Sequence, residues 1–199
     1  MARRADVLEL AVLGLLHETP MHGYELRKRL NALLGPLRAL SYGTLYPCLK
    51  LLLAQGWIRE ATSEAVVDDP PAPPLSPRRH RIVYELTAEG KERFQSLVGD
   101  PGPQAWEDEP FQVHFAFFAR TDAATRLQIL EGRRSRLQER RENARAAIQR
   151  RREEIDQYTL ELQRHGLESV EGEVRWLTEL IDTERASNMT HPPADPPTG

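Results

Sequence analysis

The chain has 199 residues, with 27 Lys and Arg against 30 Asp and Glu, for a formal net charge of -3. That length suits one ordinary domain or two small ones, and the charge leaves nucleic-acid binding open, because a groove needs a local basic face and not a basic chain. The single cysteine, Cys48, excludes an intrachain disulfide and any cysteine-rich zinc site.

Residues 7–16 are an apolar run behind Met1-Ala2-Arg3-Arg4. A signal peptide is disfavoured by Glu9 inside the run and Asp6 before it. His17-Glu18-Thr19-Pro20 also stands where a small-residue cleavage site is needed. No stretch reaches the roughly 20 apolar residues of a membrane span. A soluble, cytoplasmic protein without a membrane partner is expected. The first helix is expected over residues 6–17. Leu8, Val12, Leu15 and Leu16 form its buried face, which Leu10 and Leu13 widen. Thr19-Pro20 breaks it.

A second helix opens near Met21-His22-Gly23. Tyr24, Leu26, Leu30 and Leu33 or Leu34 supply its inner face. Arg27, Lys28 and Arg29 are either a solvated face or contacts to a phosphate backbone. Gly35-Pro36 ends the helix. A third helix covers residues 41–56. Ser41 is its N-cap and Gly56 its left-handed stop. Leu45, Leu49, Leu52 and Leu53 fall on one stripe. The opposite face carries Gly43, Pro47, Lys50 and Ala54, flanked by Thr44 and Tyr46, and is small enough for close approach to a partner. Pro47 deprives the Gly43 carbonyl of its helical donor. Either the first turn bends there, or the regular helix starts later.

Residues 57–62 are a short strand. Residues 63–77, acidic and rich in proline, read as a mobile connector. Residues 78–86 are a second strand, with Ile82, Tyr84 and Leu86 alternating against Val83 and Glu85. The two strands pair as an antiparallel hairpin with a long tip, and one leg carries Arg78, Arg79, His80 and Arg81. Thr87 caps a further helix that ends near Gly99. The sum is a winged helix-turn-helix: three helices plus a two-stranded wing.

Asp100-Pro101-Gly102-Pro103 is the clearest boundary. Beyond it, Phe111, Phe115, Phe117 and Phe118 are expected as the core of a second unit, with an effector pocket at Trp106, Phe111, Phe115 and Phe118 as the alternative. Residues 121–165 read as one long helix capped by Thr121 or Asp122, with a repeat near seven. One seam holds Leu130, Leu137 and Tyr158, and the other holds Leu127, Ile148, Ile155 and Leu162. This is a coiled-coil-like dimerisation arm. Gly166 stops it. A last helix, residues 169–187, places Val174, Leu177 and Ile181 on one stripe, to fold back on the long helix or on a second subunit. The fold class is mainly α. Residues 1–100 are the DNA-binding domain, residues 101–188 the dimerisation domain, and residues 189–199 a disordered tail.

Four blocks carry a family resemblance: His22-Gly23-Tyr24-Glu25-Leu26, Gly43-Thr44-Leu45-Tyr46-Pro47-Cys48-Leu49, Gly56-Trp57-Ile58 and Tyr84-Glu85-Leu86-Thr87-Ala88-Glu89-Gly90. In this order and spacing the chain resembles the PadR family of bacterial transcriptional regulators. Two departures are the longer wing tip and the long C-terminal arm, which is similar to that of the larger-domain branch. The resemblance implies a homodimeric repressor of near-palindromic operator DNA, nucleoid-associated when bound and released by an unidentified small molecule.

In such a motif the reading helix enters the major groove. That assigns base reading to Tyr42, Thr44, Tyr46 and Lys50, close approach to Ser41 and Gly43, and thymine-methyl contact to Pro47 or Tyr46. Backbone contacts fall to Arg27, Lys28 and Arg29. Wing contacts fall to Arg78, Arg79, His80 and Arg81, although Arg81 can instead serve the hairpin itself. No Ser/His/Asp set, phosphate loop or metal-ligand spacing stands out, so neither enzyme activity nor a metal nor a cofactor is expected. The rival reading is a winged-helix and coiled-coil adaptor that binds protein without specific DNA binding.

Overall fold

The computed structural model describes residues 2–34, 42–62, 82–151 and 156–190. Ser41, Arg78, Arg79, His80, Arg81 and Ile155, with the wing tip at 63–77, lie outside the described residues, and Tyr42 is described in its backbone only. By internal contacts the chain divides into one unit of residues 1–99 with 112–120, and a second of residues 100–111 with 121–199.

In the first unit the order is α1 (Ala2–Glu18), β1 (Met21–His22), α2 (Gly23–Leu34), α3 (Tyr42–Ala54), β2 (Ile58–Thr62), β3 (Ile82–Leu86) and α4 (Ala88–Val98). Helix α1 is buried nearly all round: Val7, Leu8, Leu10, Ala11, Val12, Leu13, Leu15 and Leu16 are all core. Its one buried carboxylate, Glu9, accepts from Arg93 Nε of α4 at 2.7 Å. The Arg93 guanidinium also lies over the Trp57 ring, 4.9 Å from its centroid. A carboxylate in that position needs such a partner, since an unpaired buried charge is costly.

The sheet has three strands in the order β1-β3-β2, all antiparallel. This corrects the two-stranded expectation and the placement of Met21-His22 in a helix. Met21 pairs with Tyr84 and His22 with Val83. A pairing of two residues is too short to leave a period-2 signal, so only the approach of β3 reveals it. Tyr24 is likewise corrected. It is 68% exposed, while Leu26, Leu30 and Leu34 carry the buried face of α2.

Glycines set the close joints. Gly56 has φ +73 and closes α3, with its N–H donating to Leu53 O and that of Trp57 to Leu52 O, both at 3.0 Å. This is the paired-bond helix stop that favours glycine at its left-handed residue. Thr87 caps α4 by accepting from Gly90 N at 3.0 Å and donates its hydroxyl to Gly56 O at 2.7 Å. A Cβ on Gly90 would lie 1.9 Å from the Trp57 carbonyl oxygen. Gly56-Trp57 and Thr87-x-x-Gly90, apart in sequence, are therefore the two halves of one joint.

Helix α5 (Asp108–Ala116) contributes its first residues to the second unit and the rest, from Gln112, to the first. The expected boundary near residue 100 thus omits the return of 112–120. Val113 and Phe117 belong to the first unit's core, and Phe117 meets Phe94 edge-on at 5.5 Å. A boundary inferred from Pro and Gly marks a chain turn and carries no information about where later apolar residues pack.

The second unit is built on α6 (Ala123–Arg151) and α7 (Gln157–Thr190). They run antiparallel, joined by the ion pairs Arg126–Glu184 at 2.9 Å and Arg133–Glu173 at 2.7 Å. Ile129, Leu130, Leu137, Val174, Leu177 and Ile181 fill the seam between them. The expected single helix over 121–165 is corrected: the break falls before α7, not at Gly166. Asp156 accepts from the amides of Tyr158 and Thr159 at 2.9 and 3.1 Å, which is an N-cap. These bonds hold its carboxyl below the usual range, with the Thr159 side chain first among the causes. Gly166 and Gly172 sit inside α7 with open space around them. An interior glycine costs about 1 kcal/mol there, and the buried residues of α7, Val174, Leu177 and Ile181, lie beyond both. α7 also extends through Met189 and Thr190, which the sequence reading had assigned to the tail.

Candidate nucleic-acid interface

Helix α3 has two unlike faces. Leu45, Leu49 and Leu52 are almost wholly buried, at 0, 1 and 0% exposure. Gly43, Thr44, Tyr46, Pro47, Lys50, Leu51 and Ala54 are exposed. The leucine stripe therefore anchors the helix and turns the small, hydroxyl-bearing face outward. The described helix starts at Tyr42 and runs through Pro47 without a break. Pro47 has no N–H to donate, so the Gly43 carbonyl at this exposed face lacks its helical donor. Leu51, 50% exposed, belongs to this face and was not singled out from sequence. Its place beside the leucine stripe hid it.

Cys48 sits at the edge of the core, and burial, with Glu9 adding, pushes its thiol up to about 12. It is a packing residue at neutral pH, because a thiolate there is disfavoured.

The basic cluster on α2 is not uniform. Lys28 is exposed. Arg29 donates Nε to Glu25 at 3.0 Å and lies 3.9 Å from Glu18. Arg27 is half-buried. Strands β2 and β3 bring Arg59 against Glu85, with bonds of 2.9 and 2.7 Å, so Arg59 is committed to the wing's own structure.

Of the aromatics, Trp106 donates Nε1 to Pro101 O at 3.0 Å and lies against Gly132, where an added Cβ would come within 2.1 Å of the indole. Phe111 is buried, edge-on to Trp176 at 6.4 Å. The Arg133 guanidinium lies 5.3 Å from its centroid. Arg133 itself is 5% exposed and bonds Glu173, Asp108 and the Trp106 carbonyl. Phe115 and Phe118, in the first unit, pair with each other at 5.0 Å. Each pair thus has its own packing partners.

Among the seam residues, Leu130, Leu137, Val174, Leu177 and Ile181 are buried within the single chain. Leu127 and Ile148 are half-buried. Tyr158 and Leu162, 87 and 70% exposed, stand one helical turn apart on α7.

A tri-helical core, a buried leucine stripe beneath an exposed small-residue helix, and an antiparallel wing define a winged helix-turn-helix protein. Residues 12–96 match the model of the transcriptional regulator PadR-like family.

The chain is similar to Bacillus subtilis PadR in complex with operator DNA at 19% identity, covering 89% of this chain and 99% of that one, with a TM-score of 0.40. A PadR-like transcriptional regulator from Bacillus cereus is 20% identical over 90% of this chain and 99% of its own, with a TM-score of 0.38. Bacillus subtilis PadR in complex with p-coumaric acid is 19% identical over 90% and 99%, with a TM-score of 0.39. No curated protein matches the chain. Among the described residues no helix is long and apolar enough to cross a membrane.

Proposed function

We propose that the chain is a homodimeric repressor that reads near-palindromic operator DNA with α3 in the major groove. The observation that carries this is the division of α3 into a buried leucine stripe and an exposed face of Gly43, Thr44, Tyr46, Pro47 and Lys50. The small side chains of Gly43, Thr44 and Pro47 let the helix backbone approach base edges. Two hydroxyls and one ammonium supply polar contacts. Lys28, with Arg27 and Arg29 beside it, faces the phosphates, and Arg78, Arg79, His80 and Arg81 extend the contact from the wing.

Two such helices have to stand about 34 Å apart to meet successive major grooves. In this proposal a second copy provides the partner helix, and the second unit holds the two copies together. Tyr158, Leu162 and the half-buried Leu127 and Ile148 are the seam residues left for that contact, since the others already fill the α6–α7 seam. Release by a small-molecule effector follows the family resemblance. An effector at Trp106 would have to lift the indole from Gly132.

Gel-shift titration with the duplex upstream of the chain's own gene tests DNA reading, and light scattering coupled to size exclusion tests the dimer. A selective shift against competitor DNA, with twice the chain mass in solution, is expected. Absence of any selective duplex binding would favour the protein-binding adaptor instead.

A further inference from the structure

The His22-Gly23-Tyr24 block is not explained by the helix it opens. Gly23 is the first residue of α2, its φ is not in the left-handed region, and no capping bond involving it is described. Two side chains converge on it from other elements. A Cβ built on Gly23 would lie 3.5 Å from Tyr84 Cε2 and 3.8 Å from the Tyr46 hydroxyl oxygen. Tyr84 is 5% exposed and belongs to the central strand β3, flanked by Met21 of β1 and Glu60 of β2. Tyr46 is 44% exposed and belongs to the outward face of α3.

The bare backbone of Gly23 and the ring of Tyr84 therefore form a floor beneath Tyr46, the one large aromatic of that face among the described side chains. A tyrosine without a floor samples several χ1 rotamers, whereas a hydroxyl resting on packed backbone samples fewer. The Tyr84 hydroxyl is held above its usual range, by burial first and then by Glu60 and Tyr46, which agrees with Tyr46 standing close by.

We infer that Gly23 and Tyr84 are positioning residues for Tyr46: the sheet at the base of the wing sets where the Tyr46 side chain points, so that its contribution to base preference depends on a small residue at position 23 in α2 and a tyrosine in β3. This inference rests on the reading of α3 as the DNA-reading helix. It ties β3, at the base of the wing, to that helix through a side chain. The separation in the seat also sets a size rule. At 3.5 and 3.8 Å a single methyl makes ordinary van der Waals contact, while a longer branch directed along Tyr84 enters the space of Tyr46.

The test is a series at Gly23 with base preference as the readout. Duplexes selected from a randomised pool by the unaltered protein define the preferred bases. Gly23→Ala is expected to keep that preference. Gly23→Leu is expected to lose about fivefold or more in discrimination at the base pairs read by Tyr46, the scale of one mismatch. Its binding to non-selected duplex at the same salt should be unchanged. In a Tyr46→Ala background, Gly23→Leu is expected to change the preference no further. A purely structural role would weaken all duplexes alike, or act equally in both backgrounds, and either result overturns the inference.

Should Gly23→Leu fail to fold, Tyr84→Phe keeps the ring volume, and a fluorotyrosine at position 46 reports on the seat by its 19F resonance in the free protein. A shifted resonance is expected, and an unmoved one overturns the seat. If the unaltered protein selects no duplex at all, the DNA reading itself fails. That outcome differs from selective binding whose preference Gly23→Leu leaves intact.

Discussion

Replacing Lys28, Arg29 and Lys50 one at a time by alanine separates phosphate contacts from charges already held within the protein. Lys28 and Lys50 are exposed. Arg29 donates to Glu25 at 3.0 Å and has Glu18 at 3.9 Å, so a phosphate has to draw its guanidinium from two carboxylates. The logarithm of the binding constant falls with the logarithm of salt by about 0.9 for each phosphate neutralised. Loss of one contact in Lys28→Ala or Lys50→Ala should lower that slope by about 0.9. From about 50 to about 200 mM salt, a fourfold rise, such a variant should lose roughly 3.5-fold less affinity than the unaltered protein. Arg29→Ala should change the slope by less than about half as much, because its surface pairs compete with the phosphate. Fluorescence anisotropy of a labelled duplex at several salt concentrations reads all three slopes. If Arg29→Ala flattens the slope as far as Lys28→Ala does, the ion pairs do not restrain Arg29. An unchanged slope in Lys50→Ala removes Lys50 from the phosphate contacts and leaves it to base reading or to no role.

Three further outcomes are expected. Arg133→Met removes the guanidinium that bonds Glu173 and Asp108 at 2.7 Å each. Those carboxylates are 32 and 60% exposed and can rehydrate, so the loss should fall near or just below the low end for a broken buried pair, about 2–3 kcal/mol. It should appear as a lower urea midpoint, and a shift of under about 1 kcal/mol would contradict the packing described.

His17 stacks on Phe94 at 5.0 Å and titrates below its ordinary value, by burial first and then by Arg120 and Lys91, with Glu18 opposing. A folded-state value below the unfolded one means the unfolded chain binds more protons, so stability is full above about pH 6.5 and falls as pH drops through the folded value. His17→Phe should flatten that part of a melting-temperature profile, and an identical acid limb in both proteins would refute the assignment.

Replacing thymine by uracil in the bound duplex removes only a methyl group. At a base touched by Pro47, Tyr46 or Leu51 this should cost about fourfold in affinity, the worth of one buried methylene. No loss at any thymine would exclude apolar reading by α3.

The helices were legible where one face is apolar and the other is not. The leucine stripe of α3 and the Gly56 stop are local chemistry, and both stand in the structure as expected. Thr87 as a cap belongs with them. The failures have different causes. β1 is two residues long and exists because β3 comes alongside. Tyr24 stands two residues before Leu26, about 200° away around α2, so the helical period itself sets it on the outer face. The end of α6 was placed at Gly166 because glycine is the stronger generic signal, while the cap at Asp156, written in Asp-Gln-Tyr-Thr, was passed over. A glycine inside a helix costs about 1 kcal/mol and does not by itself end it, and an aspartate that accepts two amides marks a start wherever it falls.

By itself the amino-acid sequence determined the order of α1 to α4 with β2 and β3, the exposed composition of α3 and the PadR-like blocks. Each depends on residue type and short spacing. The tertiary structure decided what those blocks are for. Gly90 admits the Trp57 carbonyl and Gly132 admits Trp106. It also decided that much of the apolar seam of α6 faces α7 of the same chain, and that Arg133 is held by carboxylates. Such facts are distances between residues far apart in sequence. A glycine or an arginine looks the same along the chain whether or not something is packed against it.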